Sequence, residues 1–470
     1  MKVEHVRDYV VEKLPYALNP KSIAVVGASR YDTKVGYKVI EGLKNWGYKG
    51  EIYPVNPRSG SVHGLKAYPR VNAIPYDVDL VFVAVPAHIV KAVLEDCVDK
   101  NVKIVVIATS AFKEIGRGEL QNELTQFCRD HELPLIGPNL VGMGSPYLHF
   151  NCGFIPYLPI EGPVAMISQS GANLLAALGT SQKDHFGMSF FVGLGNKADV
   201  DFCEFIAYAN NDEHTKCVSV YIEGLDSPEA FVEACQRVDK PIVAIKVGGS
   251  KIGVKAAFAH TASENPNADS FYDDIFKEAG AIRATTWQEF LDISLALGMQ
   301  PPLKGDHIVM ITNGGGSGLL SCDHFERSGL PLHELKEISP GLVDRIRAYM
   351  PMFGSPLNPV DISGTASPIQ YKGAFRQAMR DPNVDGILGS ICPTAVTDVD
   401  AVVDAVITIH ETYKHLGKPF IMECQGGDEC QRAIMKLRDH GIPAYPTAEQ
   451  AVNAMIALYK YGQIRKEKKI

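Results

Sequence analysis

The stretch SIAVVGASRYDTKVGYKVI (residues 22–40) places a short apolar run, a polar turn containing glycine and a second apolar stretch in direct succession. Its first five residues are rich in β-branched side chains, which is typical of a buried parallel strand. Similar runs recur at 51–55, 79–85, 103–108 and 133–137, with enough chain between them for crossover helices. The pattern predicts a doubly wound α/β domain with its ligand beyond the carboxyl ends of the strands.

Glycine and proline accumulate in residues 144–163 and interrupt this rhythm. Later apolar runs restore it, at 163–167, 188–193, 217–222, 241–247, 307–312, 384–391 and 418–424, with helices expected near 269–278 and 287–297. A short linker is expected at Gln300-Pro301-Pro302. Because 470 residues exceed what one core fills, we predict three α/β domains, at 1–150, 151–300 and 301–470.

The composition argues against several classes of protein. Subtracting 54 acidic from 46 basic residues gives a net charge of −8, which disfavours a nucleic-acid-binding or anionic-membrane surface. No apolar run is long enough to span a membrane, and the charged start does not resemble a signal peptide, so we expect a cytoplasmic protein. The ten cysteines show no paired spacing, which predicts reduced thiols, mostly in the core, and no metal site.

Two stretches of the sequence share one strand–turn–helix pattern. AMISQSGANLLAAL (165–178) and VMITNGGGSGLLSC (309–322) each join an apolar strand to a helix of small residues through a polar turn. Backbone N–H groups at a helix start favour anions, and phosphate fits such a pair of turns. The predicted phosphate-binding residues are Ser168, Gln169, Ser170, Gly171, Asn313, Gly314, Gly315, Gly316 and Ser317.

The polar turn in the opening stretch, residues 22–40, lacks the Gly-x-Gly-x-x-Gly spacing of NAD-binding proteins. Its second strand ends in Asn56-Pro57-Arg58, without the acid that binds a ribose. Arg30, Lys34 and Arg58 could instead bind the phosphates of another adenine nucleotide. Solvated basic side chains around a structural glycine turn explain the same residues equally well.

His260 lies in a stretch rich in small and polar residues, between an expected strand and an expected helix. An imidazole on such a loop is a competent nucleophile toward a phosphoryl group, and a carboxylate could orient it. Glu223, 37 residues earlier (260 − 223), is a candidate for that role or a surface acid that begins a helix. In the polar loop 193–202, Asp199 or Asp201 is expected to cap a helix, and Asn139 could donate a hydrogen bond to a carboxylate or acyl phosphate.

Together these stretches resemble the α subunit of the ADP-forming acyl-CoA synthetases, the acetate–CoA ligases related to succinyl-CoA synthetase. The shared pieces are VVGASR, KVGY, YPVNPR, VAVPA, AFKE, IGPN, ISQSGA, GNKADVD, YIEG, KVGGSKIGVKAA, AHT and TNGGGSG, in the family's order over nearly the whole chain. This chain departs from the family after the histidine, where it reads Ala259-His260-Thr261-Ala262-Ser263.

The resemblance implies a Rossmann-like CoA-binding domain followed by two flavodoxin-like ligase domains. It implies that acyl-CoA, ADP and phosphate are interconverted with a carboxylic acid, CoA and ATP through an acyl phosphate and a phosphohistidine. His260 would carry the phosphoryl group, Glu223 would orient it, and the two polar turns would bind it. Asn139 and Gly195 would face the acyl group. The CoA-binding residues would be Gly27, Ser29, Arg30, Lys34, Asn56, Pro57, Arg58, Val85, Pro86, Phe112 and Lys113.

The resemblance also implies a partner. Nothing after residue 301 resembles an ATP-grasp domain, so ATP or ADP and Mg²⁺ are expected on a β subunit or a C-terminal continuation, in a hetero-oligomer such as α₂β₂. The acid could be acetate, another short-chain acid or a hydroxy acid. Two alternatives remain at this point: an NAD-dependent oxidoreductase, and a non-catalytic CoA-sensing module of an acyltransferase-type protein, which would have no use for His260.

Overall fold

Most of the apolar runs named above form strands of three sheets in the computed structural model, which describes residues 6–250, 252–253 and 269–468. Two compact units are distinguished, Met1–Thr285 and Thr286–Ile470. The first contains two of the sheets and the second contains the third. The boundaries at residues 150 and 300 stay predictions.

The first sheet is wholly parallel. Its strands are Ser22–Val26 (β1), Glu51–Val55 (β2), Leu80–Val83 (β5), Ile104–Ile107 (β6) and Leu135–Ile136 (β7), and a small antiparallel pair is formed by Ser61–Val62 (β3) and Leu65–Lys66 (β4). The strand order is β2-β1-β5-β6-β7. Because β1 pairs with β2 on one side and with β5 on the other, the chain reverses its direction across the sheet at β1, which is where such sheets bind ligands.

The second sheet is mixed. Its strands are Gly142–Ser145 (β8), Phe150–Gly153 (β9), Glu161–Ser168 (β10), Met188–Gly193 (β11), Cys217–Ile222 (β12), Ile242–Lys246 (β13) and Ile282–Ala284 (β14). They follow the order β14-β13-β12-β10-β11-β8-β9, and only the β11–β8 and β8–β9 pairs are antiparallel. The glycine-rich passage that interrupts the sequence rhythm therefore begins with two strands of this sheet.

The third sheet consists of Ile308–Thr312 (β15), Val360–Asp361 (β16), Gly386–Ile391 (β17), Phe420–Cys424 (β18) and Ala444–Tyr445 (β19). It is parallel, in the order β16-β15-β17-β18-β19. The strands that precede the two predicted phosphate turns, β10 and β15, each have neighbours on both sides, as β1 has. Each of the three glycine-containing turns thus follows the strand at which the chain reverses its direction across the sheet.

Helices connect these strands. In the first unit they are Asp8–Lys13 (α1), Pro15–Leu18 (α2), Val35–Asn45 (α3), Ala87–Asp99 (α4), Gly118–Asp130 (α5), Gly171–Asp184 (α6), Phe202–Asn211 (α7), Pro228–Gln236 (α8) and Asp269–Ala279 (α9). In the second they are Trp287–Met299 (α10), Gly315–Arg327 (α11), Leu335–Ile338 (α12), Pro340–Arg347 (α13), Pro368–Arg380 (α14), Val399–Tyr413 (α15), Asp428–Asp439 (α16) and Ala448–Lys468 (α17).

The helix α10, which the prediction assigns to the second domain, lies in the second compact unit. The Tyr445 hydroxyl donates to its Asp292 carbonyl at 2.7 Å, and Gln450 Nε2 donates to the Asp292 carboxylate at 2.8 Å. The Gln450 bond partners a carboxylate that is almost wholly buried. The two bonds tie α10 to β19 and α17.

The strands supply most of the core. Every residue of β1, β5, β6, β11 and β12 is buried, as expected for parallel strands covered on both faces. All ten cysteines are free thiols and eight are buried. Among the described residues, no helix combines the length and the apolar character needed to cross a lipid bilayer.

Candidate active site

The turn after β1 brings backbone and helix unusually close. Gly27 has φ +91°, and a β-carbon there would lie 2.3 Å from the Ala84 carbonyl oxygen. At the start of α3, a β-carbon on Gly36 would lie 2.1 Å from the Gly27 carbonyl oxygen. Only glycine fits Gly27, because both its dihedral angle and the neighbouring backbone exclude a side chain. The turn is therefore held against β5 and α3.

A cavity of about 930 Å³ opens at this turn. Eight of the predicted CoA-binding residues line it: Gly27, Ser29, Lys34, Asn56, Pro57, Arg58, Val85 and Pro86. Apolar side chains of α4, including Ile89 and Val93, form part of its wall. Such a mixture of apolar wall and a few polar groups is typical of small-molecule sites of this size.

Three predicted CoA-binding residues do not line this cavity: Arg30, Phe112 and Lys113. The Phe112 side chain is wholly buried in the core of the first sheet, where it packs with residues such as Leu124 and Val83. The family resemblance of the motif AFKE placed Phe112 among the CoA-binding residues; its apolar ring is buried inside the domain, and a contact with CoA stays a prediction. Its backbone N–H, described below, has a separate partner.

Asn56 has a structural contact in the cavity wall. Its Nδ2 donates to the Ala28 carbonyl at 2.6 Å, and its Oδ1 accepts the Arg58 N–H at 2.8 Å. The amide thus joins the turn after β1 to the turn after β2 and fixes the backbone on which the exposed Arg58 stands.

Arg70 and Asp96 also line the cavity, and the sequence analysis did not single them out. Arg70 Nε donates to both Asp96 carboxylate oxygens at 3.0 Å, and Asp96 is almost wholly buried. A bare carboxylate would repel phosphate, so this pairing makes the wall compatible with an anionic ligand. The two residues are 26 apart in the chain, so no local pattern reveals the pair.

A second cavity, of about 410 Å³, continues the first. Both are lined by Val35, Ala84, Val85 and Pro86, and the second extends past the ends of β5 and β6 to Thr109, Ser110 and Ala111. The two cavities therefore form one groove along the carboxyl ends of the strands.

The two predicted acyl-site residues lie together near Thr109. The Asn139 N–H donates to the Thr109 carbonyl at 3.0 Å. Gly195 has φ +57°, and a β-carbon there would lie 2.5 Å from the Asn139 carbonyl oxygen. Asn139 itself has φ +62°, a left-handed conformation that asparagine tolerates better than most residues. The two loops are thus packed backbone to backbone.

The first predicted phosphate turn and Glu223 are also brought together. Gln169 Oε1 accepts the N–H groups of Glu223 and Gly224, at 3.0 and 3.1 Å. Ser168 pairs with Tyr221 across β10 and β12, so the segments that follow these two strands leave the sheet at the same level. α6 begins at Gly171, and no side chain caps it. Its first N–H groups can therefore bind an anion.

Tyr221 lies beside this turn. Its hydroxyl oxygen accepts a hydrogen bond from Asn173 Nδ2 at 2.8 Å. Burial and, to a smaller extent, the Glu223 carboxylate raise the pKa of Tyr221 to about 12. The phenol is therefore neutral at physiological pH and keeps its proton as a hydrogen-bond donor.

The second predicted phosphate turn lies in the other unit. Asn313 is fixed by two bonds to Cys392: its Nδ2 donates to the carbonyl, and its Oδ1 accepts the N–H, both at 2.8 Å. Gly314 precedes α11 without a side-chain cap. In the first turn of α11, the Ser317 hydroxyl donates to the buried Glu423 carboxyl at 2.6 Å. Burial raises the pKa of Glu423.

The loop 193–202 is largely structural. Asp201 is the cap of α7, and its own N–H donates to the Glu204 carboxylate, so Asp201 rather than Asp199 has that role. Asp199 is buried and pairs with Arg7 and Arg129. Lys197 is buried and pairs with Asp226 at 2.7 Å. His260 lies outside the described residues.

Comparison with known proteins gives consistent results along the chain. Residues 21–145 match a model of a CoA-binding domain, residues 161–297 a succinyl-CoA-ligase-like flavodoxin domain, and residues 308–468 a ligase-CoA domain. The α subunit of the ADP-forming acetate–CoA ligase I of Pyrococcus furiosus is 39% identical over 95% of this chain and 97% of its own. The chain belongs to the ADP-forming acetate–CoA ligase family.

Other family members differ in length. The ADP-forming acetate–CoA ligase of Methanocaldococcus jannaschii is 36% identical over 98% of this chain, which spans only 64% of that protein. A structure of the dinucleotide-forming acetyl-coenzyme A synthetase 1 of Candidatus Korarchaeum cryptofilum, in complex with phosphate and ADP, is 35% identical. It superposes with a TM-score of 0.91 over 97% of this chain and 98% of that one.

These findings confirm the resemblance inferred from the motifs and the predicted α/β fold. They also confirm the expectation of CoA, because the family's CoA-binding domain model covers the groove-forming first sheet. Neither the NAD-dependent oxidoreductase nor the non-catalytic sensing module receives support from the relatives named above.

Proposed function

We propose that this chain is the α part of an ADP-forming acyl-CoA synthetase, acting on acetate or another short-chain acid. The reaction converts acyl-CoA, ADP and phosphate into the free acid, CoA and ATP, and it is reversible. The observation that carries the proposal is the groove that leads from the Gly27 turn to Thr109, whose carbonyl accepts the N–H of Asn139.

The groove suits the two ends of CoA. Lys34 and Arg58 lie where the first cavity is exposed and can bind its phosphates by charge-assisted hydrogen bonds. The smaller cavity past Val85 and Pro86 suits the flexible arm of CoA, which would bring the thiol toward Asn139. An NAD ribose, by contrast, requires an acid at the end of β2, where Asn56 is committed to the turn.

The first chemical step exchanges phosphate for CoA on the acyl carbon. A phosphate oxygen attacks the thioester carbonyl carbon, the C–O bond forms, the C–S bond breaks, and the proton of hydrogen phosphate passes to the CoA sulfur. The products are an acyl phosphate and CoA. A donor such as Asn139 would stabilise the oxygen on which negative charge develops.

In the second step, the imidazole of His260 attacks phosphorus, the bond from phosphorus to the acyl oxygen breaks, and the carboxylate leaves. Glu223 would orient the histidine by accepting a hydrogen bond from its other ring nitrogen. The N–H groups at the start of α6 would bind the phosphoryl oxygens. Phosphohistidine then transfers its phosphoryl group to ADP and regenerates the neutral imidazole.

We place ADP and its Mg²⁺ on an ATP-grasp partner. The single-chain relatives support this, because the chain spans 64% of the Methanocaldococcus protein but 97% of the Pyrococcus α subunit. The additional third of the longer relatives would correspond to a separate β subunit, in an α₂β₂ assembly in the cytoplasm, or to a C-terminal continuation of this chain. In this scheme the turn at Asn313–Ser317 binds phosphate while ADP is phosphorylated.

The test measures ATP formation from acetyl-CoA, ADP and phosphate by the chain alone and with an ATP-grasp β subunit. We expect turnover only with the partner. Robust turnover by the chain alone would refute the assignment of the nucleotide to a partner, and no turnover with any acid tested would refute the activity. Calorimetry supplies a second check, because NAD binding more tightly than CoA would contradict the assignment of the groove.

A further inference from the structure

A line of polar side chains leads from the start of α5 to Asn139. Asn196 Nδ2 donates to Glu114 Oε2 at 2.7 Å and to Gln121 Oε1 at 3.0 Å. Asn196 Oδ1 accepts from Asn139 Nδ2 at 3.3 Å. Glu114 and Asn196 are 82 residues apart, and Asn139 and Asn196 are 57 apart. Three separate loops are thus joined through one amide.

Glu114 is itself held by the backbone. Its Oε1 accepts the N–H groups of Ala111 and Phe112, the latter at 3.1 Å. Ala111 has φ +80°, which is a strained conformation for a residue with a β-carbon. Ala111 also lines the second cavity. Glu114 therefore stabilises a strained segment of the groove wall.

The carboxylate remains charged. Burial raises the pKa of Glu114, but hydrogen bonds from Asn196 and from backbone N–H groups outweigh this effect and leave its pKa below the ordinary value. An ionised carboxylate accepts hydrogen bonds and cannot donate them. Glu114 can therefore be approached only by a donor.

This fixes two amide groups in succession. Asn196 must direct its nitrogen toward Glu114, so its oxygen faces Asn139. Asn139 must then direct its nitrogen toward Asn196, which uses one hydrogen of Nδ2 and leaves the other on the far side of the amide. A flip of the Asn139 amide would exchange its donor and acceptor positions. The orientation of Asn139 is thus determined by a charge two side chains away.

We propose that Glu114 is a positioning residue that acts through Asn196 to fix the amide of Asn139 as a hydrogen-bond donor to the acyl group. The proposal rests on the proposed function, which places the acyl carbon beside Asn139. It adds an origin for the donor: the partly buried charge of Glu114 sets the orientation of the Asn139 amide, and backbone N–H groups of the groove wall bind that charge.

The test uses the half-reaction of acetyl phosphate with CoA, which needs no nucleotide, and follows thioester formation. Glu114→Gln preserves size but presents an NH₂ group that can turn toward Asn196 and permit the amide flip. We expect the rate constant to fall about tenfold to a hundredfold, less than the hundred- to thousandfold typical of losing an oxyanion donor. CoA affinity should change less than about twofold. Glu119→Gln, at an exposed acid of α5, is the matched control.

A double-mutant cycle separates positioning from a general structural effect. Asn139→Gly removes the amide while tolerating φ +62°. If Glu114 acts through Asn139, Glu114→Gln should have no further effect in the Asn139→Gly background. An unchanged rate in Glu114→Gln, or effects that multiply in the double variant, would overturn the inference while wild-type turnover still supports the proposed function. A wild-type chain with no half-reaction and no turnover with a β subunit would refute the proposed function and this inference together.

Discussion

The turn after β1 gives a quantitative prediction through Gly27→Ala. The alanine would have to adopt φ +91°, and its β-carbon would lie 2.3 Å from the carbonyl oxygen of Ala84, directly after β5. The left-handed conformation costs about 1–2 kcal/mol. Relieving an overlap with backbone requires a shift of β1 or β5, comparable to overpacking a core, which costs about 1–3 kcal/mol. Together these predict a loss of about 2–5 kcal/mol.

Two other glycines separate these contributions. Gly47 has φ +85° with no atom within 4 Å of the added β-carbon, so Gly47→Ala measures the backbone term alone. At Gly36, in α3, an added β-carbon would overlap the Gly27 carbonyl oxygen at 2.1 Å, so Gly36→Ala measures the overlap without the dihedral strain. Each single effect should be smaller than that of Gly27→Ala, and their sum should approach it.

The assay combines thermal unfolding with calorimetry of CoA binding. At about 2–4 °C per kcal/mol for a domain of 150–250 residues, Gly27→Ala should lower Tm by roughly 4–20 °C. It should also weaken CoA binding at least tenfold, because the displaced turn forms the cavity wall, whereas Gly47→Ala should leave CoA affinity unchanged. If Gly27→Ala were no more destabilising than Gly47→Ala, the close approach to β5 would be refuted.

The remaining predictions concern charged groups. Asp199→Asn weakens the hydrogen bonds of a buried carboxylate to Arg7 and Arg129 and should destabilise the first unit by about 1–3 kcal/mol in thermal unfolding. In the same assay, breaking the surface pair of Lys38 by Glu41→Gln should cost less than about 0.5 kcal/mol. Because the pKa of Glu423 is raised in the folded chain, that carboxyl keeps a proton that the unfolded chain loses near pH 4.3, so stability should fall as pH rises from there through the folded pKa. Glu423→Gln should remove this part of the decline in denaturation measured across pH, and an identical pH profile would contradict it. Glu223→Gln should slow phosphate incorporation by about 10²–10⁴-fold, and an unchanged rate would leave Glu223 with a structural role.

Much of the fold could be predicted because buried parallel strands consist of continuous runs of apolar residues, which are visible in the sequence. β1, β11 and β12 have the bounds that the sequence predicts. β8 and β9 could not be found in this way, since GMGS and FNCG contain residues of low strand propensity and are stabilised by pairing with β11 and with each other. The glycines that suggested a break there belong to strands.

In the candidate site, features formed by one short stretch of sequence could be predicted, whereas contacts between distant residues could not. Turns such as Ser168–Gly171 are local signals, because one short stretch contains the strand end, the polar residues and the helix start. Contacts between residues far apart in the sequence, such as Glu114 with Asn196, leave no local signal and can be found only once the fold is known. Phe112 was predicted from its family motif AFKE, and only the fold shows that its apolar ring is buried in the core and does not line the cavity.

The most direct test of the account is phosphorylation of His260. The chain is incubated with acetyl phosphate, digested under mildly alkaline conditions that preserve phosphohistidine, and examined by mass spectrometry beside a His260→Gln variant. The account predicts an acid-labile phosphoryl group on the peptide that contains His260, discharged on adding ADP with an ATP-grasp β subunit, and its absence from His260→Gln. A wild-type chain that forms acetyl-CoA without phosphorylating His260 even when its β subunit and ATP are supplied, or a His260→Gln variant that carries the same label, would contradict it.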